Sequence, residues 1–428
     1  MIDINLIRTK PDLVKENIKK KFQNEKLPLV DKIRNLDQEW KKLKSEEDIL
    51  RKQRNEISRK INDCTKENGD ASSLKEQAKI IPEKIVEIQE KRVQIQQVIL
   101  NLMYKIPNII HTSVPLGKDS SQNVELERIG EPKIPDYEIY NHAELAEKIG
   151  GADFESSRKT SGKGFFYLIG DIAELSSAII NFARDYMIKH GFIYIEPPFM
   201  IRSKVVEGVM SFEEIKNMMY KIEDEDLYLI GTSEHAIIGM FMDKTLIAKD
   251  IPYKITSYSP CFRKEIGAHG VDEKGFYRVH QFNKQEMVVI CEPAESYIWY
   301  EKMLRYTIDI FRSFDIPVRV VECCSGDLAD LKAKSCDVEA WSPKQKKYFE
   351  VGSLTNMEEA QARRLNIKIE NSEGRHFAHT LNNTVVAVPR AIRFLIENNQ
   401  ERDGSVRIPN VLWQYMNNKR KIILPVNN

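Results

Sequence analysis

At 428 residues, with 42% hydrophobic and 30% charged positions, the chain has the length for two or three domains and the composition of a soluble globular protein. No apolar run approaches the ~18 residues of a membrane span. The start MIDINLIRTKPDLVKENIKKK lacks an apolar core and carries Asp3, Asp12 and Glu16, so neither a membrane helix nor a secretory or transit peptide is expected. The net charge of +1 hides an asymmetry: residues 1–105 hold 24 Lys and Arg against 18 Asp and Glu, leaving 41 against 46 for the rest of the 65 and 64. A mild N-terminal excess permits a polyanionic partner there without requiring one.

Apolar residues from Ile33 onward (Leu36, Trp40, Leu43, Leu50, Ile57, Ile61) recur in alternating steps of three and four, with polar residues at 47 and 54. After the turn signal NGD at 68–70 the same alternation resumes from Leu74 through Ala78, Ile81, Ile85, Ile88, Ile95, Ile99 and Leu102, interrupted at Arg92. Two narrow seams with a turn between them predict an antiparallel helical hairpin over about 30–102 within an N-terminal domain of 1–105. Pro82 should kink its second helix. Periodicity alone leaves open whether the arm dimerises, spaces, or grips an extended partner.

Pro107, Pro115, Pro132 and Pro135 mark 106–135 as a linker. Residues 136–428 mix short β-branched runs with helical patterns, mostly in consecutive pairs. That predicts an α+β domain with an antiparallel sheet and flanking helices. Neither glycine-rich phosphate-loop motif is present. The six cysteines, at 64, 261, 291, 323, 324 and 336, form no C-x-x-C pair, so no zinc site is expected, and reduced thiols in a cytoplasm are.

Four stretches carry polar residues where a core would want Val and Ile. In LIGTSEHA, Thr232 and Glu234 would share a strand face, as an ordinary edge strand or as partners for a small ammonium-bearing ligand. In SPCFRKEIGAHGVDEKGFYRVHQFNKQEM, Arg263 and Glu265 are two apart, as are Arg278, His280 and Phe282. Strand parity would put each set on one face. Arginine forks suit phosphate oxygens, a ring can stack on a purine and a carboxylate can accept from an exocyclic amine, so a triphosphate nucleotide site is possible. A solvated hairpin with cross-strand ion pairs is the competing reading. In YFEVGSLTN, Glu350 and Ser353 suit a magnesium bridging phosphates, or merely decorate a turn. In LNNTVVAVPRAIRFLIENNQ, Asn382, Asn383 and Thr384 lead through a strand to Pro389 and a helix with Arg390 in its first turn, either an anion site or a solvated cation.

Together these stretches resemble a known family. FRKE, a glycine-rich loop and GFYRVHQF resemble motif 2 of the class II aminoacyl-tRNA synthetases; HGFIYIEPPFM, with Pro198, resembles motif 1, the dimer motif; NNTVVAVPRAIRFLIENNQ resembles motif 3. VHQFNKQEM, the GTSE stretch, FEVGSLTN, HTLNNT, DGSVRIPNVL and the helical hairpin are similar to seryl-tRNA synthetase in particular, over essentially the whole chain, and SPCFRKE and GTSEHA look archaeal or eukaryotic rather than bacterial. The resemblance implies a class II catalytic domain, a homodimer, activation of L-serine by ATP with Mg2+, and transfer to tRNA(Ser), or tRNA(Sec) where one exists, gripped by the arm.

The resemblance also implies roles for individual residues. Arg263 and Arg390 would be catalytic: Arg263 on the α-phosphate, Arg390 with Arg278 on the outer phosphates. Lys264, Val279, Val351 and Gly352 would line the ATP site, Glu265 hold the adenine amino group, Phe282 stack on the base, and Glu350 and Ser353 carry magnesium. Thr232, Ser233, Glu234, Arg263, Glu286, Asn382 and Thr384 would surround serine. Glu273 and Lys274 depart from the family pattern. A paralogue that binds tRNA without charging it is the alternative function, and a relative that loads a carrier protein a more distant one.

Overall fold

The computed structural model describes residues 1–266 and 275–425; Glu273 and Lys274 lie outside the described residues. The chain forms two compact units, one of Ile2–Pro107 and one of Met1 with Asn108–Asn428.

In the first unit, helices α1 (Ile4–Thr9) and α2 (Pro11–Lys20) precede two long helices, α3 (Leu27–Lys66) and α4 (Ser72–Met103). The reversal between them is chemical: Asn68 takes a left-handed φ of 51°, and Asp70 accepts the Ser72 N–H at 2.9 Å. The predicted seam residues are buried or half-buried on both helices, and α4 runs unbroken through Pro82. Two of the three breaks in the hydrophobic alternation, Glu47 and Arg92, meet. Glu47 is buried and ion-paired to Arg92, and it also accepts from Gln89 (2.8 Å) and Arg51 (2.8 Å). The Arg92 guanidinium lies over the Trp40 ring at 4.6 Å.

The second unit is built on an eight-stranded sheet: β1 (Val124–Ile129), β2 (Ile193–Tyr194), β3 (Tyr253–Phe262), β4 (Gln281–Cys291), β5 (Val318–Glu322), β6 (Lys334–Ser342), β7 (Lys347–Glu358) and β8 (His379–Ala387). Their spatial order is β1-β5-β6-β7-β8-β4-β3-β2, antiparallel except where β2 joins β3. One strand comes from the stretch expected to be a linker. In VELERI the apolar Val124 and Leu126 are themselves exposed and stand among charged residues, which makes a short edge strand hard to tell from a loop; β1 pairs with β5, with Arg305 and Arg319 holding Glu127 and Glu125.

Strand β4 shows how the sheet is covered on both sides. Met287, Val289 and Cys291 enter one apolar core with α5 (Gly170–Lys189), α7 (Ser296–Ser313) and α9 (Val388–Asn398); Val288 and Ile290 enter a second with α6 (Ser233–Gly239) and α8 (Ala360–Leu365). Among the described residues no helix is long and apolar enough to cross a membrane.

Candidate active site

The sheet carries a cavity of about 970 Å3. Its floor follows from the period of a strand: Phe282, Lys284 and Glu286, at alternate positions of β4, all face it. The neighbouring strand β8 contributes Asn382 and Thr384, while Asn383 between them points the other way, donating to Met303 O and Thr307 Oγ1 at 2.9 Å on α7.

Arg263, Glu265, Arg278, Val279 and Phe282 all line the cavity, but a shared strand face is not what gathers them. Strand β3 stops at Phe262, and Glu265 has a left-handed φ of 47°. The turn swings Glu265 onto Arg278, 3.1 Å away. Arg263 is fixed at its backbone by His280, whose carbonyl accepts the Arg263 N–H (2.8 Å) and whose Nδ1 lies 2.9 Å from the Arg263 carbonyl. Its Nε donates to Gly231 O at 3.1 Å, and its guanidinium sits 5.3 Å from the Phe282 ring. His280 therefore supports the arginine from outside the wall and does not share a face with Arg278.

Glu350 and Ser353 are three apart yet face the same cavity because β7 carries a bulge. Val338 of β6 pairs with Gly352 and Glu339 with Glu350, so Val351 is the extra residue. Gly352 is where the strand passes closest to its cover; an added Cβ would lie 3.0 Å from Thr307 Cγ2 and 3.3 Å from Thr384 O. Arg390, in the first turn of α9, sits 2.9 Å from Glu350 Oε1 and holds that carboxyl below its usual range. Tyr277 donates to Glu350 O (3.1 Å) and stacks its ring 4.8 Å from the Arg390 guanidinium. Asp337, opposite Ser353 on β6, also lines the cavity; burial and then Glu350 push its carboxyl up.

At the other end stand two buried carboxylates. Glu234 was expected on a strand; instead Thr232 caps α6 and Glu234 lies in its first turn, the Thr232 hydroxyl accepting the Glu234 N–H at 3.4 Å. A Thr followed by Ser and Glu is as good a helix start as a strand, and here the cap prevails. Glu234 Oε1 accepts from Gln361 (2.8 Å) on α8 and Asn382 (3.0 Å) on β8. Burial, followed by the charge of Glu286, raises its carboxyl to about 7. Glu286 is ion-paired with Lys284 and accepts from Thr384 at 3.5 Å. His235 beside them is kept neutral, pushed down to about 3 by burial and by Arg263.

Ser233, Lys264 and Gly352 lie off the cavity wall, Lys264 turning its N–H to Met218 O (2.9 Å). Pro198 is exposed between β2 and Phe199, also away from the wall. Sequence reasoning missed Lys284, His235, Asp337 and Gln361. Lys284 was legible, since it shares the parity of Phe282 and Glu286. Gln361 was not, because its bond to Glu234 spans 127 residues.

This geometry meets its counterpart in known proteins. Residues 1–110 match the seryl-tRNA synthetase N-terminal domain, and 219–399 the class II tRNA synthetase core domain of the G, H, P, S and T enzymes. The chain is 43% identical over 422 residues to the serine–tRNA ligase of Methanoregula boonei, covering 98% of this chain and 99% of that one. It is 41% identical to that of Pyrococcus furiosus, over 100% and 98%. Its structure superposes on seryl-tRNA synthetase from Pyrococcus horikoshii complexed with ATP with a TM-score of 0.95, 41% identity and full coverage of both chains. It superposes on the cytoplasmic serine–tRNA ligase of Naegleria fowleri in complex with AMP with a TM-score of 0.89 and 30% identity, covering 100% of this chain and 99% of that one. The chain belongs to the seryl-tRNA synthetase family.

Proposed function

We propose that this chain is a serine-specific aminoacyl-tRNA ligase that activates L-serine with ATP and passes it to tRNA(Ser), and to tRNA(Sec) where one exists. The observation that carries this is the joining, in one cavity, of a cationic end (Arg263, Arg278, Arg390), suited to phosphates, to an end of two buried carboxyls, an amide and a hydroxyl (Glu234, Glu286, Asn382, Thr384), suited to an amino acid. The relative from Pyrococcus horikoshii, alike over its whole length, is complexed with ATP.

Serine's carboxylate attacks the α-phosphorus, pyrophosphate leaves and seryl-adenylate remains; the terminal ribose hydroxyl of tRNA then attacks the activated carbonyl and AMP leaves. Alignment and charge compensation do most of this work, and no nucleophilic side chain is needed. Arg263, held by Gly231 and His280, is pre-aimed at the α-phosphate. Phe282 takes the adenine against its face beside Val279 and Val351, Glu265 its amino group, and Arg278 and Arg390 the outer phosphates. Glu350 and Ser353 offer hard oxygen ligands on one face of β7, the donor set for a Mg2+ that draws its remaining ligands from phosphates and water. Bound there, the ion would neutralise phosphate charge. Glu234 and Glu286 together receive the serine ammonium beside Thr232, and Asn382 and Thr384 close on its hydroxyl. A site built to bond a hydroxyl rejects alanine, which would leave those groups unpaired.

The arm of α3 and α4 embraces tRNA, the protein works as a homodimer through the region of Pro198, and it resides in the cytoplasm. Serine-dependent exchange of pyrophosphate into ATP, followed by charging of total tRNA across all amino acids, tests the reading. Exchange with serine and charging of tRNA(Ser) are expected. Binding of tRNA without exchange would identify a non-charging paralogue.

A further inference from the structure

Lys284 has no part in the scheme so far, yet its ammonium is almost wholly buried, at 6% side-chain exposure, against a Glu286 carboxylate at 2%. Along β4 it stands between Phe282 and Glu286 on the cavity face. If Phe282 takes the base and Glu286 the amino acid, Lys284 occupies the junction where the serine carboxylate meets the α-phosphate. This rests on the serine reading above.

A buried carboxylate that stays ionised needs a counter-charge. In the structure Glu286 has one, supplied by Lys284. The incoming serine brings its own ammonium, the same chemical group. It also brings a carboxylate that needs a cation. We propose that Lys284 is a substrate-binding residue that exchanges partners: it holds Glu286 while the site is empty, yields that carboxylate to the serine ammonium, and turns to the serine carboxylate. Each buried charge then has a partner before and after binding, and the lysine ends beside the oxygen that must attack. The flexible four-carbon stem and point charge of lysine suit such a move better than a planar guanidinium does.

The test compares serine with serinol (2-amino-1,3-propanediol), which keeps the ammonium and hydroxyl but replaces the carboxylate by a neutral CH2OH. Equilibrium binding of both, without ATP, is measured for the native enzyme, Lys284→Met and Lys284→Arg. The native enzyme is expected to prefer serine. Lys284→Met should shrink the serinol-to-serine Kd ratio by at least about tenfold, the scale of one charge-assisted hydrogen bond, and Lys284→Arg should restore part of it. The same ratio in the native enzyme and Lys284→Met overturns the inference while leaving the serine reading intact. Failure of the native enzyme to bind serine overturns both. Should Lys284→Met not fold, a crystal structure of the native enzyme with serine decides: Nζ within hydrogen-bond distance of the serine carboxylate supports the exchange, and Nζ still on Glu286 overturns it.

Discussion

Each unit of the molecule holds a buried glutamate where its sequence pattern calls for something apolar, and the two are treated differently. On the arm, Glu47 is closed on every side: Arg92, Gln89 and Arg51 donate to it, and Trp40 covers Arg92. In the cavity, Glu234 and Glu286 are tied only through part of their capacity, and one carboxyl is lifted to about 7. A closed polar network in a two-helix seam fixes register, since the pair satisfies its bonds in one alignment of the helices. An open one is poised for a ligand. The closed network belongs to the arm's two helices, and the open one lines the cavity.

Four experiments would break or sharpen that contrast. The largest effect should come from excising residues 30–102, which carry the closed network: charging of tRNA falls by at least about a thousandfold, while serine-dependent pyrophosphate exchange stays within about threefold. Charging that survives the excision would show that the arm does not serve tRNA. Next, Arg263→Ala should lower exchange by ~10²–10³, about 3–4 kcal/mol, the loss seen when one preorganised donor is removed from a reacting oxyanion; near-native exchange would remove Arg263 from the chemistry. Glu47→Ala should destabilise the helical pair by about 2–3 kcal/mol, less than a fully buried pair because Arg92 keeps 21% of its side chain exposed. Denaturant melting followed by circular dichroism measures it, with exchange activity unchanged.

The smallest effect is the most specific to the open network. With its carboxyl raised to about 7, Glu234 in the empty site is neutral below that pH and ionised above it. Serine's ammonium favours the ionised form. The serine KM should therefore fall roughly tenfold from pH 6 to pH 8 and level off beyond. Glu234→Gln should abolish the slope; an unchanged slope would assign the titration to another group.

The fold was largely legible. Heptad spacing located the arm helices, and NGD located their turn because Asn is at ease in the left-handed region that the reversal uses. Strand β1 was lost because its apolar alternation is only Val124 and Leu126, set among charged residues in a proline-marked stretch. At the site, strand parity grouped Arg263 with Glu265 and Arg278 with Phe282; all four line the cavity, but Arg263 and Glu265 arrive by a turn past the end of β3. Asn382 and Thr384 alternate on β8, and Glu350 and Ser353 arrive by a bulge. Turns and bulges change which way a side chain points without changing composition, so periodicity alone could not gather these residues. Lys284 shares the parity of Phe282 and Glu286 but was passed over because a lysine on a strand is ordinarily solvated; its burial against Glu286 sets it apart.

The hold on Glu234 has a consequence for how such a pocket changes over time. Its carboxylate is gripped from α8 by Gln361 and from β8 by Asn382, and Thr380 in turn donates to Gln361 at 2.6 Å. Glu234 lies more than a hundred residues from the other three and interlocks with them in space, so a single substitution at Glu234, Gln361 or Asn382 leaves a buried amide or carboxyl short of a partner. The network behaves as a combination lock: positions 234, 361, 380 and 382 should drift together across descendants or not at all, and on the proposed reading a redesign of the amino acid taken would change them as a set.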